Sequence, residues 1–528
     1  MAPEYLTTTW ETDTGASANG HGSVEDLEHT RPVWEGNKWR PVSQRIIKEG
    51  LLGHGNFITA AEAPFYFDRS TKVLCDLECF DMKLLLNERY QINARETLYS
   101  YLLEDMKVEA RARGTRANVR QFAHYDPRAN VMYLDLGRGR MLRMDGREIQ
   151  EVDNGTDGVL FAAPPGAEPW SYVPDAPRGL FGKVLVRSLK FAEGEALPHT
   201  VEEQQALLLA WLLSVAFESI QPTKPLALAR GPEGAGKSSL FRRAGRIFYG
   251  STFEVDSLGR DSEQDFWVTV TNRRFVAWDN VDQRVPWLED ALATAATGVR
   301  ITKRKLYETN QAVSFRAAAF IGLTARTPRF RRPDVAERLL VFNLLKLNDD
   351  VRDEGELLQE IEDQRDALMS DYARLLNMVI AAPVASGPMG IRLADFAKLA
   401  RRIGAGLKVK DLMESALAKL RQAQRAYAVQ ENELYALLSA WVDETEPAPG
   451  ERDLGYPNEG RKVRTNELFK ELERLAEEQG FRFHLPSPVA LGRQLQELES
   501  TLEETFQVER GQDRKGSWWA FRRREDAS

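Results

Sequence analysis

Cysteine is nearly missing from this chain of 528 residues: there are two, Cys75 and Cys79, separated by three residues. A disulfide-stapled scaffold is thereby excluded. With no second cysteine pair and only six scattered histidines, the pair does not read as a zinc site either. Asp76, Glu78 and Asp81 beside it read as an acidic, solvated edge rather than as metal ligands. Long apolar runs are also lacking. The longest, Ala206 to Phe217, is too short to cross a bilayer and reads as a buried helix. No signal peptide is recognisable, so the expected location is cytoplasmic, away from membrane. A surplus of basic charge is lacking too: 71 Lys and Arg face 79 Asp and Glu, a net charge of −8. That excludes a uniformly basic coat for nucleic acid, so any DNA contact must come from local clusters. The hydrophobic share of 43% and charged share of 28% are those of an ordinary soluble globular protein, and the length allows several domains.

What the chain does have is an octapeptide, Gly231 to Ser238, reading Gly-Pro-Glu-Gly-Ala-Gly-Lys-Ser. This is a complete Walker A phosphate-binding loop. Gly231, Pro232, Glu233, Gly234, Ala235 and Gly236 let successive backbone N–H groups turn inward around phosphates. Lys237 then reaches the β- and γ-phosphates, and the Ser238 hydroxyl, with Ser239 next to it, serves Mg²⁺. The flanks fit: Leu226 to Ala229 is a short apolar run of buried-strand type, and Leu240, Phe241, Ala244, Ile247 and Phe248 follow at helical spacing. ATP and Mg²⁺ are the expected ligands, although a loop that reads phosphates does not discriminate adenine from guanine.

The fold class expected is multidomain α/β. Residues 1–44 are polar and without apolar periodicity and read as a disordered leader. Residues 45–197 mix the helix-like piece Asn93 to Ala112 with strand signals at Val131 to Leu136 and Met141 to Met144, an N-terminal α+β domain. Residues 198–345 alternate in α/β fashion around the loop and form the P-loop ATPase domain. Residues 346–425 are helical throughout, and 426–528 carry two amphipathic helices, Asn466 to Gln479 and Pro488 to Ser500, before a strand with Trp518, Trp519 and Phe521.

Beyond the loop, Phe275 to Trp278 is a buried-strand run ending in Asp279, which puts a carboxylate where Mg²⁺ needs one. The next residue is Asn280, where many ATPases carry a second acid; Asp282 is the candidate base in its stead. Val299 to Tyr307 and Ala312 to Phe315 read as a hairpin with a charged arm. Its Arg300, Lys303, Arg304 and Lys305 suit nucleic-acid phosphates, although such a charge run is more often merely a solvated face. Ala317 to Leu323 is a further apolar strand ending at Thr324, a position for a polar γ-phosphate sensor. Arg326, Arg329, Arg331, Arg332 and Arg338 follow within a short span, and one of them, supplied by a neighbouring subunit, would stabilise charge on a transferring phosphoryl group.

This order of loop, Asp279, basic hairpin with Lys305-Leu-Tyr307, strand and Asp334-Val-Ala-Glu-Arg338 resembles the superfamily 3 helicases, AAA+-related hexameric replication motors. The resemblance covers about residues 120–528. It is nearest to prophage and integrative-element ATP-binding proteins, through Asp279-Asn280, Trp287-Leu288 and Arg392-Leu-Ala-Asp-Phe396. It implies a central AAA+-like ATPase in a homo-oligomer, a hexameric ring with single-stranded DNA in its channel. Lys237 and Ser238 would hold phosphate and Mg²⁺, Asp279 the metal, and Thr324 would be the sensor. Arg338 would be the finger, with Arg331 and Arg332 as rivals, and Lys303 and Lys305 would be the preferred DNA contacts. Asn280 and Thr324 depart from the usual second acid and sensor Asn, which implies slow hydrolysis. No primase motif of paired acidic ligands is present in the N-terminal region.

The last segment is similar to a winged helix, with Arg493 facing bases and Arg514 and Lys515 on a phosphate-contacting wing. Glu497, Glu499, Glu503 and Glu504 keep a protein-contact role open. The function expected is an ATP-dependent ring helicase or translocase acting on DNA in replication of a phage or mobile element. The alternative from another class is a nucleotide-gated regulatory or defence ATPase with slow turnover, in which ATP controls assembly. A small-molecule kinase would not need the C-terminal module.

Overall fold

The computed structural model describes residues 39–60, 63–194, 197–259, 262–282, 285–298, 300–304, 312–317, 319–326, 330, 332–347, 353–385, 391–430, 433–445, 461–478, 483, 485–499, 502–503, 506–514 and 516–523. Residues 1–38 of the expected leader lie outside them; its last residues are helical, within Trp39–Arg45. The chain forms two compact units, Met1–Val119 with Asn154–Ala162, and Arg120–Asp153 with Ala163–Ser528.

In the first unit a four-stranded sheet runs in the order Leu74–Asp76, Ala63–Asp68, Gly55–Ala60, Thr115–Arg116, with only the last pairing parallel. Leu98, Leu102, Met106 and Ala110 recur every fourth residue along helix Thr97–Arg113, so they share one stripe, and all four are buried. Helix Phe80–Tyr90 starts at Cys79, whose sulfur accepts the Met82 N–H at 3.4 Å, and ends at Gln91 in the left-handed region.

The second unit opens with an antiparallel meander, Ala123–Asp126, Val131–Gly137, Arg140–Met144 and Ile149–Asp153 in sequential order. The segment expected as one domain, 45–197, thus contributes residues to both compact units. Met132, Leu134, Leu142 and Met144 from this meander join the same hydrophobic core as Phe241 and Phe275. Burial against that core, rather than position in sequence, decides the grouping.

The centre of the second unit is a parallel sheet of five strands: β1 (Leu226–Arg230), β2 (Asp256–Ser257), β3 (Phe275–Asp279), β4 (Phe320–Ala325) and β5 (Leu339–Asn343), in spatial order β2-β3-β4-β1-β5. Its strands are apolar at successive positions because both faces are covered. Ala227, Ala229, Phe275, Ala277 and Phe320 enter the core shared with helix α1 (Lys237–Tyr249), whereas Leu228, Val276, Trp278, Ile321 and Leu323 enter the core on the opposite face. On the α1 side Trp211, from helix Val201–Ser214, which takes in most of the apolar run Ala206 to Phe217, meets Phe241, Phe275 and Phe320 edge-on. Each such pair adds about 0.5–1.5 kcal/mol beyond area burial.

Between β3 and β4 the chain makes the expected hairpin: Arg300–Arg304 pairs antiparallel with Ala312–Arg316, from Arg300 opposite Arg316 to Arg304 opposite Ala312. Helices Glu354–Asp363, Arg365–Ala381, Ala394–Gly406 and Lys410–Gln430 follow, as the 346–425 pattern predicts. The last segment is built of helix Glu433–Thr445, strand Arg461–Arg464, helices Thr465–Glu478 and Pro488–Glu497, and strands Phe506–Asp513 and Gly516–Arg523. Arg461–Arg464 and Phe506–Asp513 flank the last strand. Trp441, Leu472, Leu491, Leu495, Trp519 and Phe521 close a core of their own.

Candidate functional site

The octapeptide joins the C-terminal end of β1 to the N-terminus of α1, so the positive end of the helix faces the loop. Gly234 and Gly236 adopt φ of 78° and 77°, and Gly236 precedes the first helical residue, Lys237. Only glycine takes those values without strain. Gly231 is required for a different reason: a Cβ there would lie 2.3 Å from the Leu344 carbonyl oxygen. The segment after β5 explains this closeness, since Leu344 N–H donates to Arg230 O at 2.7 Å and Leu347 N–H to Gly234 O at 3.2 Å. Leu344 to Leu347 thus brace the loop from one side, a role that nothing in their residue types signals.

Lys237 Nζ donates to the carbonyls of Gly231 and Pro232, both at 2.8 Å. Burial lowers its pKa from the ordinary lysine value, while Asp279 and Asp282 act to raise it and Arg326 to lower it. An ammonium held over its own loop by two carbonyls is positioned to exchange them for phosphate oxygens.

Parallel neighbours β1, β4 and β3 end side by side, which brings together residues distant in sequence. Ser238 Oγ donates to Asp279 Oδ1 at 2.7 Å, and Thr324 Oγ1 donates to the same oxygen. Thr324 is wholly buried and its hydroxyl also accepts the Asn280 N–H at 3.0 Å. Asn280 sits at φ 55°, a left-handed value that asparagine tolerates better than most residues. Ser238 and Asp279 fit Mg²⁺: both present hard oxygens, on adjoining elements, at the foot of the phosphate loop. Among the described residues no three His, Cys, Asp or Glu side chains are grouped to hold a metal. Such an ion would draw its remaining ligands from phosphate and water, as Mg²⁺ commonly does.

Asp282 stands differently from the expectation of a base. Both its carboxylate oxygens accept the Arg326 backbone N–H, at 3.0 and 2.9 Å. The carboxylate ties the turn after β3 to the end of β4, and this engagement weighs against a free base at that position.

Arg338, the expected finger, is enclosed within its own chain. Arg338 is only 5% exposed, and its guanidinium donates to the Asp334 carbonyl one turn back. Gln424 of helix Lys410–Gln430 closes over it by donating to Glu337 O and Leu339 O. Arg332 is the exposed rival at 43%, paired with Asp334 at 2.9 Å and with Asp290. Arg331 lies outside the described residues.

Of the expected DNA contacts, Lys305 and Lys515 lie outside the described residues, and Lys303 and Arg304 occupy the first hairpin strand, Arg300–Arg304. Arg493 and Arg514 are exposed, on helix Pro488–Glu497 and at the turn after strand Phe506–Asp513. Nearby Arg464 and Arg510 are paired with Asp513 at 2.7 Å and Glu499 at 2.8 Å, which lowers the net positive charge of that face. Among the described residues no helix is long and apolar enough to cross a membrane.

Comparison with known proteins places this site within a recognisable segment. Residues 196–422 match the family model of the actinomycete integrative conjugative element replication protein. That span includes the loop, Asp279, the hairpin, Thr324 and the helices after β5. No curated protein compared with the chain matches it. Among solved structures, the apo NrS-1 C-terminal region aligns over 94% of this chain and 100% of its own, at 11% identity and a TM-score of 0.41. An SCCmec type IV Cch, titled an active helicase, aligns over 87% of this chain and 90% of its own, at 10% identity and a TM-score of 0.43.

Proposed function

We propose that this chain is a Mg²⁺-ATP hydrolase that drives a homo-oligomeric, ring-forming helicase or translocase on DNA in the replication of a mobile element. The observation that carries the reading is the meeting of Ser238 and Thr324 on one oxygen of Asp279, directly behind the phosphate loop. The strand order supports it. With β4 inserted between the loop strand and the Asp279 strand, a sensor, a metal carboxylate and a phosphate loop end at one edge, the arrangement expected of an AAA+-like motor. The match of residues 196–422 to a mobile-element replication protein family supports the biological setting.

In this reading Mg²⁺, held by Ser238 and Asp279, neutralises charge on the phosphates when bound. Lys237 releases the Gly231 and Pro232 carbonyls to take phosphate oxygens, and Thr324 keeps the Asp279 carboxylate oriented. Arg332 of one subunit acts on the nucleotide of the next, once Asp334 and Asp290 release it. The hairpin, with Lys303, Arg304 and Lys305, follows single-stranded DNA in the channel. The C-terminal module, read as winged-helix-like, adds Arg493, Arg514 and Lys515 as duplex or partner contacts.

One observation favours a second reading. Asn280 replaces an acid and Asp282 is engaged with Arg326, so a chain with very slow turnover, in which ATP controls assembly, is the competing function. The experiment is ATP turnover with and without single-stranded DNA, for the wild type, Lys237→Ala and Arg332→Ala. The motor reading expects turnover stimulated by DNA and reduced by about 10³-fold in both variants. Negligible turnover unaffected by DNA, with nucleotide-dependent assembly intact, would establish the switch instead.

A further inference from the structure

The turn after β4 carries an arginine that the roles above do not use. Arg326 follows Thr324 by two residues, and the intervening Ala325 accepts the Gly231 N–H on its carbonyl at 3.2 Å. Arg326 is therefore joined, through one peptide unit, to the residue that holds the first amide of the phosphate loop. Its own N–H is gripped by both oxygens of Asp282, which fixes where the side chain leaves the backbone. The side chain is exposed and its guanidinium has no partner among the described residues. It stands near enough to Lys237 to disfavour the charge of that ammonium. Two cations near the end of a phosphate loop repel one another until an anion lies between them.

We propose that Arg326 is a γ-phosphate ligand supplied by the same subunit that binds the nucleotide, with Asp282 as its positioning residue. The inference rests on the reading that the loop binds Mg²⁺-ATP. It assigns to Asp282 the work of aiming a guanidinium in place of accepting a proton. It also gives the chain a way to tell ATP from ADP that does not depend on the acid missing at Asn280. A planar guanidinium making paired bonds to the terminal phosphate has no counterpart contact once that phosphate has left. Arg326 is thus distinct from Arg332, whose target would belong to the next subunit.

The test is equilibrium binding of fluorescent ADP and of a fluorescent non-hydrolysable ATP analogue, with Mg²⁺, to the full chain. The variants are Arg326→Ala, Arg326→Lys and Asp282→Asn, with thermal unfolding without nucleotide as the folding control. Arg326→Ala is expected to weaken the ATP analogue by about 10- to 100-fold and ADP by less than about twofold. Arg326→Lys is expected to recover part of the loss, and Asp282→Asn to weaken the ATP analogue selectively, by a smaller factor. Equal weakening of both nucleotides, or no change in either, would overturn the assignment of Arg326 alone. A wild-type chain that binds neither nucleotide would overturn the nucleotide reading of the loop, and this inference with it.

Discussion

Asp279 Oδ1 takes hydroxyl hydrogens from both Ser238 and Thr324, so a cation arriving beside Ser238 must displace one of them or approach the other carboxylate oxygen. The roles proposed for Lys237, Ser238 and Asp279 rest on signals that are local in sequence: a loop motif, and a carboxylate closing an apolar run. The engagement of Asp282 and of the Arg338 turn was not readable because the partners are remote. The amide that occupies Asp282 lies 44 residues away, and the Gln424 that seals the Arg338 turn lies 87 residues from the carbonyl it caps. Residue type does not report such engagement. The two cysteines give a prediction at this scale. The Cys75 thiol, hydrogen-bonded to Cys79, pulls the Cys79 pKa down to about 7, with the Met82 N–H adding to the effect. Cys75 itself is buried and raised. Alkylation of the native protein, followed by peptide mass against pH, is expected to show Cys79 reacting with a half-maximum near pH 7 while Cys75 stays protected. A Cys79 half-maximum near the ordinary thiol value of about 8.5 would contradict this.

Among the elements, β1, β3 and β4 were readable as short apolar strands, and their alternation into two cores accounts for why both faces of each are apolar until the polar residue near its C-terminal end, Arg230, Asp279 or Thr324. The order of the strands was not readable, since nothing local says that β4 inserts between β1 and β3. Packing supplies the answer at Gly322, in the middle of β4. A Cβ at this position would stand 2.6 Å from Phe241 Cδ1, in the ring by which α1 rests on the sheet. Gly322→Ala is expected to destabilise the protein by about 1–3 kcal/mol, because a fully buried ring has nowhere to move. The same displacement would lift Lys237 at the head of α1, so nucleotide affinity should fall together with stability. Chemical denaturation read beside nucleotide titration tests this; a variant of wild-type stability would mean that α1 does not bear on β4 as described.

For the whole molecule, the sequence reading divides the chain by composition and pattern, whereas the structure groups it into two compact units. The meander Ala123–Asp126 to Ile149–Asp153 belongs with the second unit because its buried face completes that unit's core. Surface-to-core bookkeeping of this kind is invisible to composition. One centre carries the proposed chemistry: the Gly231 to Ser238 loop, the Asp279 carboxylate and the buried Thr324 hydroxyl converge there. The most direct measurement is steady-state ATP turnover by the full chain with Mg²⁺ and with chelator, for the wild type and Asp279→Ala, with thermal unfolding as the folding control. The account predicts turnover that requires Mg²⁺ and falls by about 10²-fold or more in a folded Asp279→Ala variant. Turnover that survives chelation, or that Asp279→Ala leaves unchanged, would contradict it.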